Sequence, residues 1–262
     1  MKSADTRNLP LPPGGADAAQ VMMNYVSDRS AALILSPPMA EHPFIGSATA
    51  VMIGDHLLLA TAGHNLEGIT DASQIRIMPR GEFPHPGLPL VARSSPVDKP
   101  DVGWIELAPG PALASSLRFL QLIDLKCEVR HDPAVPFQVQ GFPAAEVTAV
   151  AGRVEPFSLN LITSSVEGHP DRLVLEYPPQ SSADRGLALV HPRGMSGGGV
   201  WEVPRFDSSP VWTPDHAHMV AIVQSVAAER HSLFTEPIEE WLRLVATDFP
   251  SLCESIRAVH GA

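Results

Sequence analysis

Arg193-Gly194-Met195-Ser196-Gly197-Gly198-Gly199 decides how this 262-residue chain is read. A serine set among glycines makes a tight turn where side chains would clash. Such a turn can expose a hydroxyl and aim backbone N–H groups at one point in space. Acyl transfer needs both: a nucleophile, and a site for the oxyanion that develops beside it. Taken singly, a glycine-rich serine turn is common in loops. Two upstream stretches change its meaning, Thr61-Ala62-Gly63-His64 and Asp101-Val102-Gly103-Trp104. The order along the chain is His, Asp, Ser, with 37 residues from 64 to 101 and 95 from 101 to 196.

These three residue types divide one reaction among them. A serine hydroxyl is unreactive at neutral pH until a base takes its proton, so Ser196 needs His64. Imidazole titrates near ~6.5 and can accept and then return a proton close to neutrality. Asp101 then holds the ring in one tautomer and stabilises the imidazolium without being protonated itself. Each residue alone has an ordinary explanation. Asp101 can cap the turn after Pro100, with Asp98 as a rival, and His64 is one of 11 histidines. The joint pattern carries the assignment.

The motifs together resemble the trypsin/chymotrypsin-like serine peptidases of the bacterial type. The His, Asp, Ser order separates that group from subtilisins and α/β-hydrolases. Further stretches share the resemblance, which covers roughly residues 30–246. Phe44 to Val51 is similar to the strand that precedes the His strand, and Gln140-Gly141-Phe142-Pro143 to a Gly-aromatic-Pro turn. Ala221 to Ser225 resembles the strand that lines the substrate cleft, and Ile238 to Val245 the closing helix. The resemblance implies an all-β fold of two six-stranded antiparallel β-barrels with a C-terminal helix. The first barrel would supply His64 and Asp101, and the second Ser196.

It also implies an oxyanion hole made by the N–H groups of Gly194 and Ser196. The specificity pocket would involve Val190 with His191 near it, and Gln224, Ser225 and Val226 in its wall. No Asp sits at the pocket base, so a small or apolar P1 residue is expected. Met195 stands where secreted relatives carry an Asp that binds a newly cut N-terminus. A methionine cannot do that, which leaves constitutive activity or control by a protein partner. Asn65 follows the His where secreted animal relatives have Cys. The expected function is a serine endopeptidase acting through an acyl-enzyme on protein or peptide substrates, narrow or gated in specificity, with no cofactor. The alternative is a latent module of the same fold that binds a protein partner through the cleft between barrels. An esterase or self-processing hydrolase with the same triad is a narrower option.

Composition bounds the rest. Hydrophobic residues are 44% and charged ones 18%, the balance of a globular chain. The 27 prolines disfavour long helices and suit short strands joined by turns. A formal net charge of −11 argues against nucleic-acid binding, which wants a basic face. Two cysteines, Cys127 and Cys253, give no disulfide framework and read as separate thiols. His216, His218, His231 and Asp215 do not follow a metal-ligand spacing, so no metal is expected. Without an apolar leader or a membrane-length run, the expectation is a cytoplasmic chain with no membrane partner.

Turn residues and hydrophobic patterning predict many short strands, and the resemblance divides them into an N-terminal arm and short helix over 1–28, a first barrel over 29–132, a second over 133–235 and a helical segment over 236–262. Predicted strands of the first barrel fall near 31–35, 45–53, 56–60, 75–79, 88–93 and 102–107. Those of the second fall near 135–140, 147–154, 157–166, 172–177, 199–203, 218–226 and 230–234. Ile238, Trp241, Leu242 and Val245 share one face at helical spacing.

Overall fold

The computed structural model describes residues 15–35, 44–79, 89–96, 99–110, 113, 116–128, 135–143, 148–150, 153–155, 158–166, 172–177, 192–203, 213–227 and 232–260. Its first strands are β1 (Ser30–Leu35), β2 (Phe44–Ile53), β3 (His56–Thr61), β4 (Ile75–Pro79), β5 (Pro89–Ser94) and β6 (Gly103–Leu107). They form one antiparallel sheet in the order β4-β1-β2-β3-β6-β5. The later strands are β7 (Phe137–Gly141), β8 (Thr148–Val150), β9 (Arg153–Glu155), β10 (Leu159–Thr163), β11 (Val174–Glu176), β12 (Gly199–Glu202), β13 (His218–Ala227) and β14 (Ser232–Pro237). Six of these make a second antiparallel sheet in the order β10-β7-β12-β13-β14-β11, while β8 and β9 pair as a separate hairpin. The predicted strand near 147–154 is therefore two short strands. The expected linker between the barrels spans about Arg130 to Pro136, and of it residues 130–134, like residues 1–14 of the expected arm, lie outside the described residues.

The two curled sheets share one connectivity. Ranked by chain position, the first runs fourth, first, second, third, sixth, fifth. The second runs second, first, fourth, fifth, sixth, third. Written as closed rings, the two orders are the same and differ only in where the ring opens. At the seam of the second sheet, Ser165 bridges Leu175, and the Val166 N–H donates to the Val174 carbonyl at 2.7 Å, so its edge strands meet. A barrel removes sheet edges that would otherwise invite pairing with other chains.

Alternation explains why both faces of many strands are apolar. Ala48, Ala50, Leu59, Ile75, Ile77, Ile105 and Leu107 fill the first half-barrel. Phe137, Val139, Leu161, Leu175, Val200, Val220 and Val223 fill the second. The opposite faces of the same strands, with Leu58, Trp104, Trp201, Met219 and Ile222, build a third core where the two sheets meet. Burial of each large apolar side chain stabilises the fold by about 1.5–3 kcal/mol relative to exposure.

Two helices seal that joint. Helix α1 (Gly15–Ser27) buries Ala19, Met22, Met23 and Val26, the i, i+3, i+4, i+7 stripe of an amphipathic helix. Helix α2 (Ile238–Asp248) buries Ile238, Trp241, Leu242 and Val245 in the same pattern, as its spacing predicts. Its exposed Arg243 pairs with Glu239 and Glu240, and those acids in the first turn complement the helix dipole. A last helix, α3 (Cys253–His260), packs Ile256 into the joint. Cys127 and Cys253 are free thiols. No described helix is long and apolar enough to cross a membrane.

Candidate active site

The buried strand β3 delivers the histidine. After Ala62 the chain makes a single 3-10 turn over Gly63–Leu66, which lifts the His64 side chain into a 43%-exposed position. Strand β6 delivers the aspartate from the adjacent position, because Thr61 and Gly103 are cross-strand partners. The two loops touch closely. A Cβ at Gly63 would stand 2.9 Å from both Asp101 Oδ1 and the Val102 carbonyl, so only glycine admits this approach. The Trp241 indole N–H of α2 donates to the Gly103 carbonyl at 3.0 Å and fixes the start of β6.

Asp101 grips His64 at two points. Its Oδ2 lies 2.6 Å from the ring Nδ1, and its Oδ1 accepts the His64 backbone N–H at 2.8 Å. The carboxylate therefore sets both the ring and the main chain that carries it, and leaves Nε2 as the nitrogen free to exchange a proton. The Asp101 hydrogen bond raises the imidazole above its ordinary value, against the effect of burial, and the charges of Asp101 and Glu67 add to the rise. Burial works to raise Asp101, but hydrogen bonds from the His64 ring, the His64 N–H and the Gly63 N–H outweigh it and hold the carboxyl below its ordinary value.

The serine turn is built by hydrogen bonds on every side. Met195 N–H donates to the Pro192 carbonyl at 3.0 Å and Gly198 N–H to the Met195 carbonyl at 2.9 Å. Gly197 N–H donates to the Val223 carbonyl and Val223 N–H to the Gly198 carbonyl, both at 2.8 Å. Strand β13 is thereby locked to the turn immediately before Gln224, Ser225 and Val226. Gly197 adopts φ +87°, and a Cβ there would lie 2.0 Å from the Ser47 carbonyl, so this position requires glycine on both counts. Met195 is fully buried in the core of the second half-barrel.

The serine turn and the histidine turn meet through Asn65. Its Nδ2 donates to the Ser196 carbonyl at 2.9 Å and to Thr61 Oγ1 at 3.0 Å. Ser196 thus sits beside the loop that holds His64, on the opposite side from β13. Gln224 occupies an irregularity in the β13–β14 register, between Val223 and Ser225, and accepts a hydrogen bond from Arg172 Nη1 at 3.4 Å. Ser225 is exposed, and Gln224 and Val226 are half-buried. The predicted pocket residues Val190 and His191, with Asp98 and His231, lie outside the described residues.

No protein-family model matches the sequence, and no curated protein matches it. The kinship that can be stated is one of geometry. Two six-stranded antiparallel half-barrels stand in a trypsin-like arrangement. Within it, the three motifs converge where the two sheets meet.

Several residues at this site carried no signal of their own in the sequence. Ser47 lies within the stretch Phe44 to Val51 and Asn65 directly follows His64, yet their contacts with residues 194 and 196 bridge well over a hundred positions. Glu236 is another. It is 5% exposed on β14, and Arg172 joins it at 3.6 Å. Burial raises its carboxyl above the ordinary range, while the Arg172 charge opposes the rise.

Proposed function

We propose that this protein is a serine endopeptidase that hydrolyses peptide bonds through Ser196, His64 and Asp101. The observation that carries the proposal is the two-point hold of Asp101 on His64, beside a glycine-framed serine turn tied to the same loop. His64 takes the Ser196 proton as Oγ attacks the carbonyl carbon of the scissile bond. The tetrahedral oxyanion is received by the N–H groups of Gly194 and Ser196. His64 then protonates the leaving amine, and an acyl-enzyme remains on Ser196. Water, deprotonated by His64, attacks that ester, and the acid product leaves with the proton returned to Ser196. Each oxyanion donor contributes roughly 3 kcal/mol of transition-state stabilisation.

The substrate lies extended beside Gln224-Ser225-Val226, as a strand added to a sheet edge. P1 is small or apolar, and no cofactor takes part. A peptide library incubated with the full chain and with Ser196→Ala tests this. Cleavage after small or apolar residues, absent from the variant, is the expected result. Cleavage dominated by Arg or Lys contradicts the pocket, and a folded chain that cuts neither peptides nor esters favours the latent, partner-binding alternative.

A further inference from the structure

The first half-barrel holds the serine turn with side chains to which the proposed reaction assigns no chemical step. Ser47 on β2 is 1% exposed, Thr61 at the end of β3 is fully buried, and Asn65 is 3% exposed. The Ser47 N–H donates to the Ser196 carbonyl at 2.8 Å, and its Oγ donates to the Gly194 carbonyl at 2.8 Å. That same Oγ accepts the Phe142 N–H at 2.8 Å. Thr61 Oγ1 donates to the Ser47 carbonyl at 2.7 Å and accepts from Asn65. The Asn65 amide can be oriented only one way. Both of its partners, the Ser196 carbonyl and a Thr61 hydroxyl whose proton is already placed, call for a donor, so Nδ2 must face them.

A buried network in which each hydroxyl both donates and accepts fixes one geometry. It also fits only a turn with glycine at 197, where a Cβ would meet the Ser47 carbonyl, Thr61 Oγ1 and Asn65 Nδ2 within 3 Å. On the far side the turn is anchored by Met195, packed in the second core. Both flanks of the turn are therefore occupied by side chains of this chain, the buried Ser47, Thr61 and Asn65 on one side and Met195 on the other.

We infer that Ser47, Thr61 and Asn65 are positioning residues that hold the Ser196 turn in its assembled form, so that the site is competent without an activating trigger. On this inference, which rests on Ser196 being the nucleophile, restraint lies in narrow substrate choice. The Ser196 carbonyl is held by two donors from the opposite sheet, and the Gly194 carbonyl by a third. Loosening them displaces the nucleophile and the oxyanion donors together, while leaving the His64–Asp101 contact intact.

The test compares freshly purified full chain with Asn65→Asp and Ser47→Ala. For each, the rate of Ser196 labelling by a fluorophosphonate, the thermal midpoint and the titration of the His64 ring by NMR are measured. Asn65→Asp replaces a donor by a carboxylate oxygen facing the Ser196 carbonyl. It is expected to slow labelling about 10²-fold, the scale of a misplacement near 1 Å, with the His64 titration unmoved. Ser47→Ala should slow it in the same direction. Variants that remain folded and label at the wild-type rate overturn the inference while leaving the nucleophile assignment standing. A folded wild type that does not label, with the Asn65 side-chain protons protected from exchange, contradicts the nucleophile and the claim of intrinsic competence. Unprotected Asn65 protons overturn the clamp itself.

Discussion

Strands β3 and β6 carry two histidine–carboxylate pairs, one at each end. At one end His64 Nδ1 meets Asp101 at 2.6 Å; at the other His56 Nδ1 meets Glu106 at 2.7 Å. The contact atoms and distances are nearly the same, and the surroundings differ. His56 lies against Phe249, ring centroids 4.6 Å apart, and Phe249 in turn packs on Trp104. Phe249, from the C-terminal segment, closes that end. Asp248, 4% exposed at its side chain, accepts from the Trp104 indole N–H at 2.8 Å and pairs with Arg93 at 2.8 Å. The His64 end receives the serine turn. A histidine–carboxylate pair is thus not a site in itself. On the proposed function, the third element brought against it decides whether it works on a nucleophile or packs against the C-terminal segment.

The comparison breaks most visibly through the histidines. His64→Ala should lower kcat/KM for peptide hydrolysis by at least about 10⁴-fold, and His56→Ala by no more than about threefold. The second substitution should instead appear in the thermal midpoint, through a lost hydrogen bond and ring contact of about 1–2 kcal/mol together. Equal losses of activity would erase the distinction between the two ends.

The carboxylates give the next effect. Asp101→Asn should cost about 10⁴-fold in kcat by favouring the wrong tautomer, while Glu106→Gln leaves turnover close to normal. A pH profile sharpens this. His64 must be neutral to act as base, so kcat/KM rises with pH through a His64 value above the ordinary 6.5. In Asp101→Asn the main cause of that rise is gone, and the residual activity should climb at a lower pH.

The same pair governs stability. His64 is raised by folding, so its contribution is complete below 6.5 and disappears as pH rises through its folded value. Asp101 is lowered, so its contribution is complete above 3.8 and disappears as pH falls through its folded value. The thermal midpoint lost in Asp101→Asn should therefore be largest between 3.8 and 6.5, and smaller in alkaline buffer. A loss that is flat across pH contradicts the coupling.

The smallest effect on chemistry lies at Asp248. Asp248→Ala leaves the buried Trp104 N–H without its acceptor and should cost about 1–3 kcal/mol in denaturant titrations, with the His64 ring titration unchanged. A shift in that titration would mean that Asp248 and His64 are linked.

Much of this was legible in the residues. Turn residues and hydrophobic patterning place most strand ends to within two residues, and the i, i+3, i+4, i+7 stripe of α2 is plain in its spacing. Helix α2 runs to Asp248, beyond the predicted Val245, because Phe249 continues the backbone hydrogen bonding with its N–H on the Val245 carbonyl at 2.8 Å. His64, Asp101 and Ser196 were legible because glycines mark the places where backbones must approach. The shared ring order of the two sheets was not, since strand order is set by pairings far apart in sequence and no repeat of residues records it. The clamp was invisible for the same reason. Asn65 could be noticed only as a residue where secreted trypsin-like enzymes have Cys, and nothing local to Ser47 announces that its hydroxyl meets Gly194.

The most direct test is a fluorophosphonate probe on the purified chain, with the labelled residue found by mass spectrometry. The account predicts labelling at Ser196, abolished in Ser196→Ala and His64→Ala and retained in His56→Ala. A folded protein that stays unlabelled, or is labelled elsewhere, would contradict it.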